Sequence, residues 1–151
     1  MHHWLMKSEP EEFSIDDLRR VRVEPWSGVR NYQARRYMRE EMRVGGAVLF
    51  YHSSSAIPGV YGLATVSHAA EPDESQFDKK GEYYDPKATR ERPIWYGVRV
   101  RFAKKLKAPV TLAAMKADKQ LAELFIFKNG RLSVGPVTAV EYRRILALAG
   151  E

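Results

Sequence analysis

Three adjoining stretches decide the fold class: Ala47-Val48-Leu49-Phe50-Tyr51-His52, then Ser53-Ser54-Ser55-Ala56-Ile57-Pro58, then Gly59-Val60-Tyr61-Gly62-Leu63-Ala64-Thr65-Val66-Ser67. The first is a short apolar-aromatic run, rich in the residues that suit a pleated, buried strand. The second is a turn-rich loop. The third returns as a strand, so the three read as a β-hairpin. Further along, Ile94 to Leu106 reads as a long strand in which Tyr96, Val98, Val100 and Phe102 form the core face, and Trp95, Gly97, Arg99 and Arg101 the other. Before the hairpin, His2 to Lys7 reads as a first strand, ended by Ser8-Glu9-Pro10 because proline cannot continue a central ladder.

Helices lie between these strands in mixed order. Ser14 caps Ile15 to Arg20, with Asp17 in the box position. Val21 to Pro25 is extended, since the residue before a proline avoids the helical region. Asn31 caps a basic helix to Met42, which Gly45-Gly46 stops. Thr111 caps a short helix to Ala117. Glu123 to Phe127 is a short strand or a helical turn, Asn129-Gly130 a turn, and Arg131 to Val134 a short strand broken by Gly135-Pro136. Thr138 and Glu141 form a capping box for a last helix. Short strands and small helices that do not alternate regularly predict an α+β fold on a compact, mostly antiparallel sheet or barrel. With 151 residues and neither repeat nor linker, residues 1–151 form a single domain.

The net charge of +6 and pI of about 9.6 favour an anionic partner without naming it. No cysteine is present, which excludes disulfides, cysteine-based zinc sites and thiol catalysis. The four histidines are scattered, so no metal is expected. No apolar run approaches the ~20 residues of a membrane span. The N-terminal residues lack a signal-peptide pattern, so a cytoplasmic protein is expected. Neither a P-loop nor a Gly-x-Gly-x-x-Gly is present, and no cofactor is expected. His52-Ser53-Ser54-Ser55 has no nucleophile elbow, and neighbours on a strand point to opposite faces.

Aromatic residues sit beside polar hydrogen-bonding groups in the turn regions. They are Trp26 with Arg30 and Asn31, Tyr51 with His52 and Ser53, Tyr83-Tyr84 with Asp85, and Trp95 after Pro93. Gly28 permits a close approach or a positive φ. Such groups are the parts of a base-binding pocket: rings stack, amides and hydroxyls read edges, and arginines hold phosphates. Arg35, Arg39 and Arg43 share one helix face and, apart from a Glu40 that can relieve Arg36 and Arg43, lack acidic partners. Arg35 and Arg39 are the phosphate-facing candidates, the alternative being a solvated cationic face. The carboxylates from Asp73 to Asp85 fall in a stretch that reads as a solvated loop.

Five segments in order carry a resemblance over nearly the whole chain. They are Trp4 to Pro10, Trp26 to Arg35, Phe50 to Ser53, Tyr83 to Lys87 and Arg131 to Val137. Together they resemble the EVE-domain proteins, the group that includes the thymocyte nuclear protein family, within the PUA-like superfamily. The resemblance implies a PUA-like bent β-barrel or pseudo-barrel of about five to six mostly antiparallel strands, with short helices packed around it. It also implies a pocket for a flipped, modified base of the methylated-cytosine type, on DNA or RNA. Carried over, Trp26 would be a pocket wall and Lys7 and Ser8 its border. Arg30, Asn31, His52 and Ser53 would make polar contacts, and Tyr84, Trp95, Leu132 and Ser133 would line it. The rival reading is an enzyme acting on modified nucleosides or nucleotides, with His52 as acid-base group and Asp85 as its partner. A third is a protein-interaction module whose basic face meets an acidic partner.

Overall fold

The structure, a computed structural model, describes residues 3–151. The expected strand start at His2 lies outside the described residues. Six strands form one sheet: β1 (His3–Ser8), β2 (Val23–Pro25), β3 (Ala47–His52), β4 (Gly59–Pro72), β5 (Tyr96–Thr111) and β6 (Val134–Val137). Their order is β2-β5-β4-β3-β1-β6. All neighbours are antiparallel except β1 and β3, which run parallel from His3 opposite Ala47 to Ser8 opposite His52. The fold is thus the expected α+β arrangement of mostly antiparallel strands. The sheet keeps two edges, β2 and β6, and does not close into a barrel. Register shifts recur along the long β4–β5 pair and once in β3–β4, and such shifts bend and twist a sheet.

Strand alternation divides the core into two layers. Trp4, Met6, Val48, Phe50, Val98 and Val100 face one side and pack with Ile15, Leu18, Trp26, Met38 and Met42. Leu5, Leu49, Tyr51, Val60 and Leu106 face the other and pack with Met115, Leu121, Leu124, Ile126 and Ile145. The first layer is covered by α1 (Ile15–Val21) and by α2 (Tyr32–Arg36) with the π-helical turn Tyr37–Glu41. The second is covered by α3 (Leu112–Lys116), α4 (Phe125–Lys128) and α5 (Ala139–Leu148). The capping boxes of α1 (Ser14, Asp17) and α5 (Thr138, Glu141) form, and Asn31 and Thr111 cap α2 and α3.

Four sequence expectations need correction. The helix from Asn31 to Met42 is not one α-helix, because its second half widens into the π-helical turn. The strand placed at Arg131 to Val134 runs instead from Val134 to Val137, through Gly135-Pro136. Pro136 is tolerated because β6 is an edge, with β1 as its only neighbour. Gly135 leaves room for the Phe125 ring, from which a Cβ would stand 2.8 Å. Arg36 is relieved by Glu41 at 3.3 Å, not by Glu40. The segment after Glu71 is not a solvated loop: β4 continues to Pro72, and Asp73 and Gln76 are buried.

Candidate functional site

The parallel strands β1 and β3 end side by side, and the chain leaves both toward the same place. The Ser53 N–H donates to the Ser8 carbonyl at 2.9 Å, and the Ser8 hydroxyl donates to the Phe13 carbonyl at 2.6 Å. These bonds tie the end of β3 to the end of β1 and the 9–13 turn back onto β1. Between the 9–13 and 53–55 turns, the 26–31 segment and the 130–133 turn lies a cleft of about 720 Å³. Ligand pockets commonly span about 300–1,000 Å³.

Trp26 follows the edge strand β2. Its N–H donates to the Val98 carbonyl at 2.8 Å, and its ring meets Phe50 edge-on at 5.5 Å and 84°. The indole is buried yet borders the cleft. Its position depends on Gly97, where a Cβ would overlap the Trp26 carbonyl oxygen. Gly28 has φ +82°, a conformation that suits glycine, and the Tyr83 ring packs where its side chain would be.

Behind the Trp26 segment stands a charged brace. The Asp73 carboxylate, with its side chain only 2% exposed, accepts from the Gly28 N–H (2.8 Å), the Ser75 N–H (2.9 Å), the Ser75 hydroxyl (2.7 Å) and Arg30 Nη1 (3.1 Å). Burial pushes this carboxyl up, but the hydrogen bonds from Ser75, Gly28 and Arg30 outweigh it and hold the group below its usual range. Arg30 also donates to the Ser75 hydroxyl, the Tyr83 carbonyl and the Val29 carbonyl, at 2.8–3.0 Å. Its guanidinium lies near the Tyr83 and Trp95 rings, at 5.6 and 5.3 Å. Arg30 therefore ties three loops together while its side chain edges the cleft. Gln76, fully buried, accepts from the Ile94 and Trp95 N–H groups and donates to the Trp95 and Asp73 carbonyls.

Of the residues singled out in the sequence, Lys7, Ser8, Trp26, Arg30, Asn31, Ser53 and Ser133 come together around the cleft. Lys7 Nζ donates to the Gly130 carbonyl at 3.0 Å, and burial lowers its pKa. Asn31 spends its side-chain oxygen on the Ala34 N–H at 2.9 Å, as the cap of α2. His52, Tyr84, Trp95 and Leu132 do not line the cleft. His52 is buried, accepts from the Ile15 N–H through Nε2 at 3.1 Å, and stacks on Tyr61 at 4.1 Å. Burial lowers its pKa, with Asp16 opposing and Lys105 adding to the shift. Trp95 donates its Nε1–H to Asp85 at 2.8 Å, and that bond, with one from the Lys87 N–H, lowers the Asp85 pKa. Leu132 belongs to the core.

Sequence reasoning missed Glu12, Phe13, Glu24 and Arg131 on the cleft, and Asp73 and Gln76 behind it. The one available signal was Asp73-Glu74-Ser75, the spacing at which an aspartate bonds the backbone two residues on. Tyr83, set beside Tyr84 but not chosen, is the ring that reaches the cleft. Its hydroxyl stands 3.5 Å from a Glu12 oxygen, and burial followed by Glu82 and Glu12 pushes it up to about 12.

A second depression, of about 470 Å³, lies along α2 and the π-helical turn and is lined by Tyr32, Gln33, Arg35, Arg36, Arg39 and Glu40. Arg35 donates to the Ile94 carbonyl at 2.8 Å and lies 4.8 Å from the Tyr32 ring, and Arg39 lies 4.2 Å from the Tyr96 ring. Rings flank the two arginines, and although Glu40 shares the depression neither arginine forms an ion pair among the described residues. Among the described residues no group of three His, Cys, Asp or Glu could hold a metal, and no helix is long and apolar enough to cross a membrane.

The model of the EVE domain matches residues 2–148. The chain belongs to the EVE-domain family. A curated EVE relative, thymocyte nuclear protein 1 of Danio rerio, is 40% identical over 98% of this chain and 72% of its own length. A hypothetical protein from Leishmania major superposes with a TM-score of 0.97 at 48% identity, over 99% of this chain and 95% of that one. The human THYN1 protein, whose structure is of a complex with 5-methylcytosine-containing DNA, superposes with a TM-score of 0.95 at 36% identity, over 100% of this chain and 99% of that one.

Proposed function

We propose that this chain is a non-catalytic module that binds DNA carrying methylated cytosine and holds the modified base, turned out of the helix, in the cleft beside Trp26. The observation that carries the reading is the near-complete superposition on the human THYN1 protein, crystallised with 5-methylcytosine-containing DNA. The geometry supports it. The cleft has an indole for a wall, hydroxyls and a lysine on its rim, and a volume large enough for a base and its sugar. Turning a base out costs a few kcal/mol, which stacking and enclosure must offset. A braced wall helps, because a cleft that is already ordered loses less entropy on binding. The methyl group contributes about 0.8 kcal/mol if buried, so a loose pocket would read it poorly. Arg35 on α2, which starts at the cleft's rim, and Arg39 on the π-helical turn that continues it supply the phosphate contacts.

The enzyme reading draws no support from the site. The His52 nitrogen that would move a proton is engaged by the Ile15 N–H, and Asp85 is engaged by Trp95 and Lys87. The proposal is tested by titrating the protein with matched DNA duplexes, with and without 5-methylcytosine at one position, at several salt concentrations. Tighter binding of the methylated duplex at every salt is expected. Equal affinities throughout would refute the reading.

A further inference from the structure

Glu24 is one of three carboxylates on a cleft that also carries Lys7, Arg30 and Arg131, and unlike the exposed Glu9 it is half-buried. It lies on the short edge strand β2, opposite Val100, so its side chain projects to the same face of the sheet as that core residue. It lines the cleft two residues before Trp26. Among the described residues it has no side-chain hydrogen-bond or ion-pair partner. The other groups are differently placed. Lys7 is engaged by Gly130, Arg30 by Asp73 and Ser75, and Glu12 faces the Tyr83 hydroxyl. A half-buried carboxylate without a donor is costly, and such groups call for an explanation. Burial, with Asp17 nearby, raises the Glu24 pKa, as expected for a charge that lacks compensation.

A bland explanation exists, since an inward-pointing charge on an edge strand discourages pairing with another chain. It does not account for the position of the carboxylate at the cleft wall. A ligand donor does. Resting on the reading of the cleft as a modified-base site, we propose that Glu24 selects cytosine-type bases by accepting a hydrogen bond from their exocyclic amino group. Cytosine presents that amino donor, where thymine presents a carbonyl acceptor together with a C5 methyl. Thymine therefore carries the same methyl as 5-methylcytosine and opposes the Glu24 carboxylate with a second acceptor.

The experiment compares DNA duplexes that carry 5-methylcytosine, cytosine or thymine opposite an abasic site, so that base pairing does not differ among them. Binding is measured by fluorescence anisotropy to the wild-type protein and to Glu24→Gln. The wild type is expected to prefer 5-methylcytosine over thymine by at least about tenfold, the scale of a hydrogen bond to a charged group. Glu24→Gln, whose amide both donates and accepts, is expected to bring that ratio within about twofold. The ratio of 5-methylcytosine to cytosine, which reports the methyl, stays unchanged. A variant that keeps the full preference over thymine overturns the role of Glu24 and leaves the modified-base reading intact. A wild type that binds all three duplexes alike overturns the modified-base reading itself. A thermal melt of the variant verifies that it is folded, and an edge guard alone would move neither ratio.

Discussion

Replacing Asp73 by alanine should loosen the wall of the cleft from behind. The carboxylate is 2% exposed and accepts four hydrogen bonds, one of them from a guanidinium that is itself only 22% exposed. Removing one member of a buried ion pair costs about 3–5 kcal/mol, since the surviving charge is left uncompensated. Arg30 retains the Tyr83, Ser75 and Val29 oxygens, which places the loss near the lower end of that range, about 3 kcal/mol. For a chain of this length each kcal/mol lowers Tm by about 2–4 °C, so a fall of about 6–12 °C is expected by calorimetry. The pH dependence gives a second readout. The folded-state pKa of Asp73 is depressed, so its stabilisation is present above the ordinary carboxylate pKa of about 4 and disappears as pH falls through the folded value. Asp73→Asn should remove that part of the acid sensitivity. A Tm within 2 °C of wild type for Asp73→Ala, measured at neutral pH, would refute the brace, a threshold set at about the effect of 1 kcal/mol.

Gly97→Ala should cost about 1–3 kcal/mol by overpacking, because the new methyl meets the Trp26 carbonyl oxygen, and binding of methylated DNA should fall with it. Calorimetry and titration measure both. His52 makes stability depend on mildly acidic pH. Its folded pKa is lowered by burial, so the neutral form is favoured, stability is full above the ordinary value near 6.5, and it declines as pH falls below that. Melts between pH 7.5 and 5 should show this decline, and His52→Gln should flatten it. Arg39→Ala should weaken methylated and unmodified DNA alike and reduce the salt slope of binding by about 0.9, one phosphate contact, with the methylation preference unchanged in parallel titrations.

Much of the fold was legible because local rules and tertiary packing agree in it. The hairpin of β3 and β4, the capping boxes of α1 and α5, and the core parity of Val98 and Val100 each follow from neighbours in sequence. What escaped was set by partners distant in sequence. The parallel pairing of β1 with β3 leaves no local signal, because parallel strands are joined by a long crossover rather than a turn. Gly135-Pro136 reads locally as a break, yet an edge position removes the cost of the missing N–H.

At the site the same division holds, and Arg30 shows it. Its sequence context offers an aromatic, a glycine and an amide, all consistent with a ligand contact. Its partners, Asp73, Ser75 and Tyr83, lie more than forty residues away in a polar segment, where a buried carboxylate looks like any solvated one. Once Asp73 is known to be buried, the guanidinium must answer it, because a buried charge without a partner is far more costly than an exposed one. The loop is then held by charge pairing rather than by its own sequence. On the proposed reading, a cleft wall held in this way would discriminate a group as small as a methyl, since a wall that yields would accept either base with little difference in free energy.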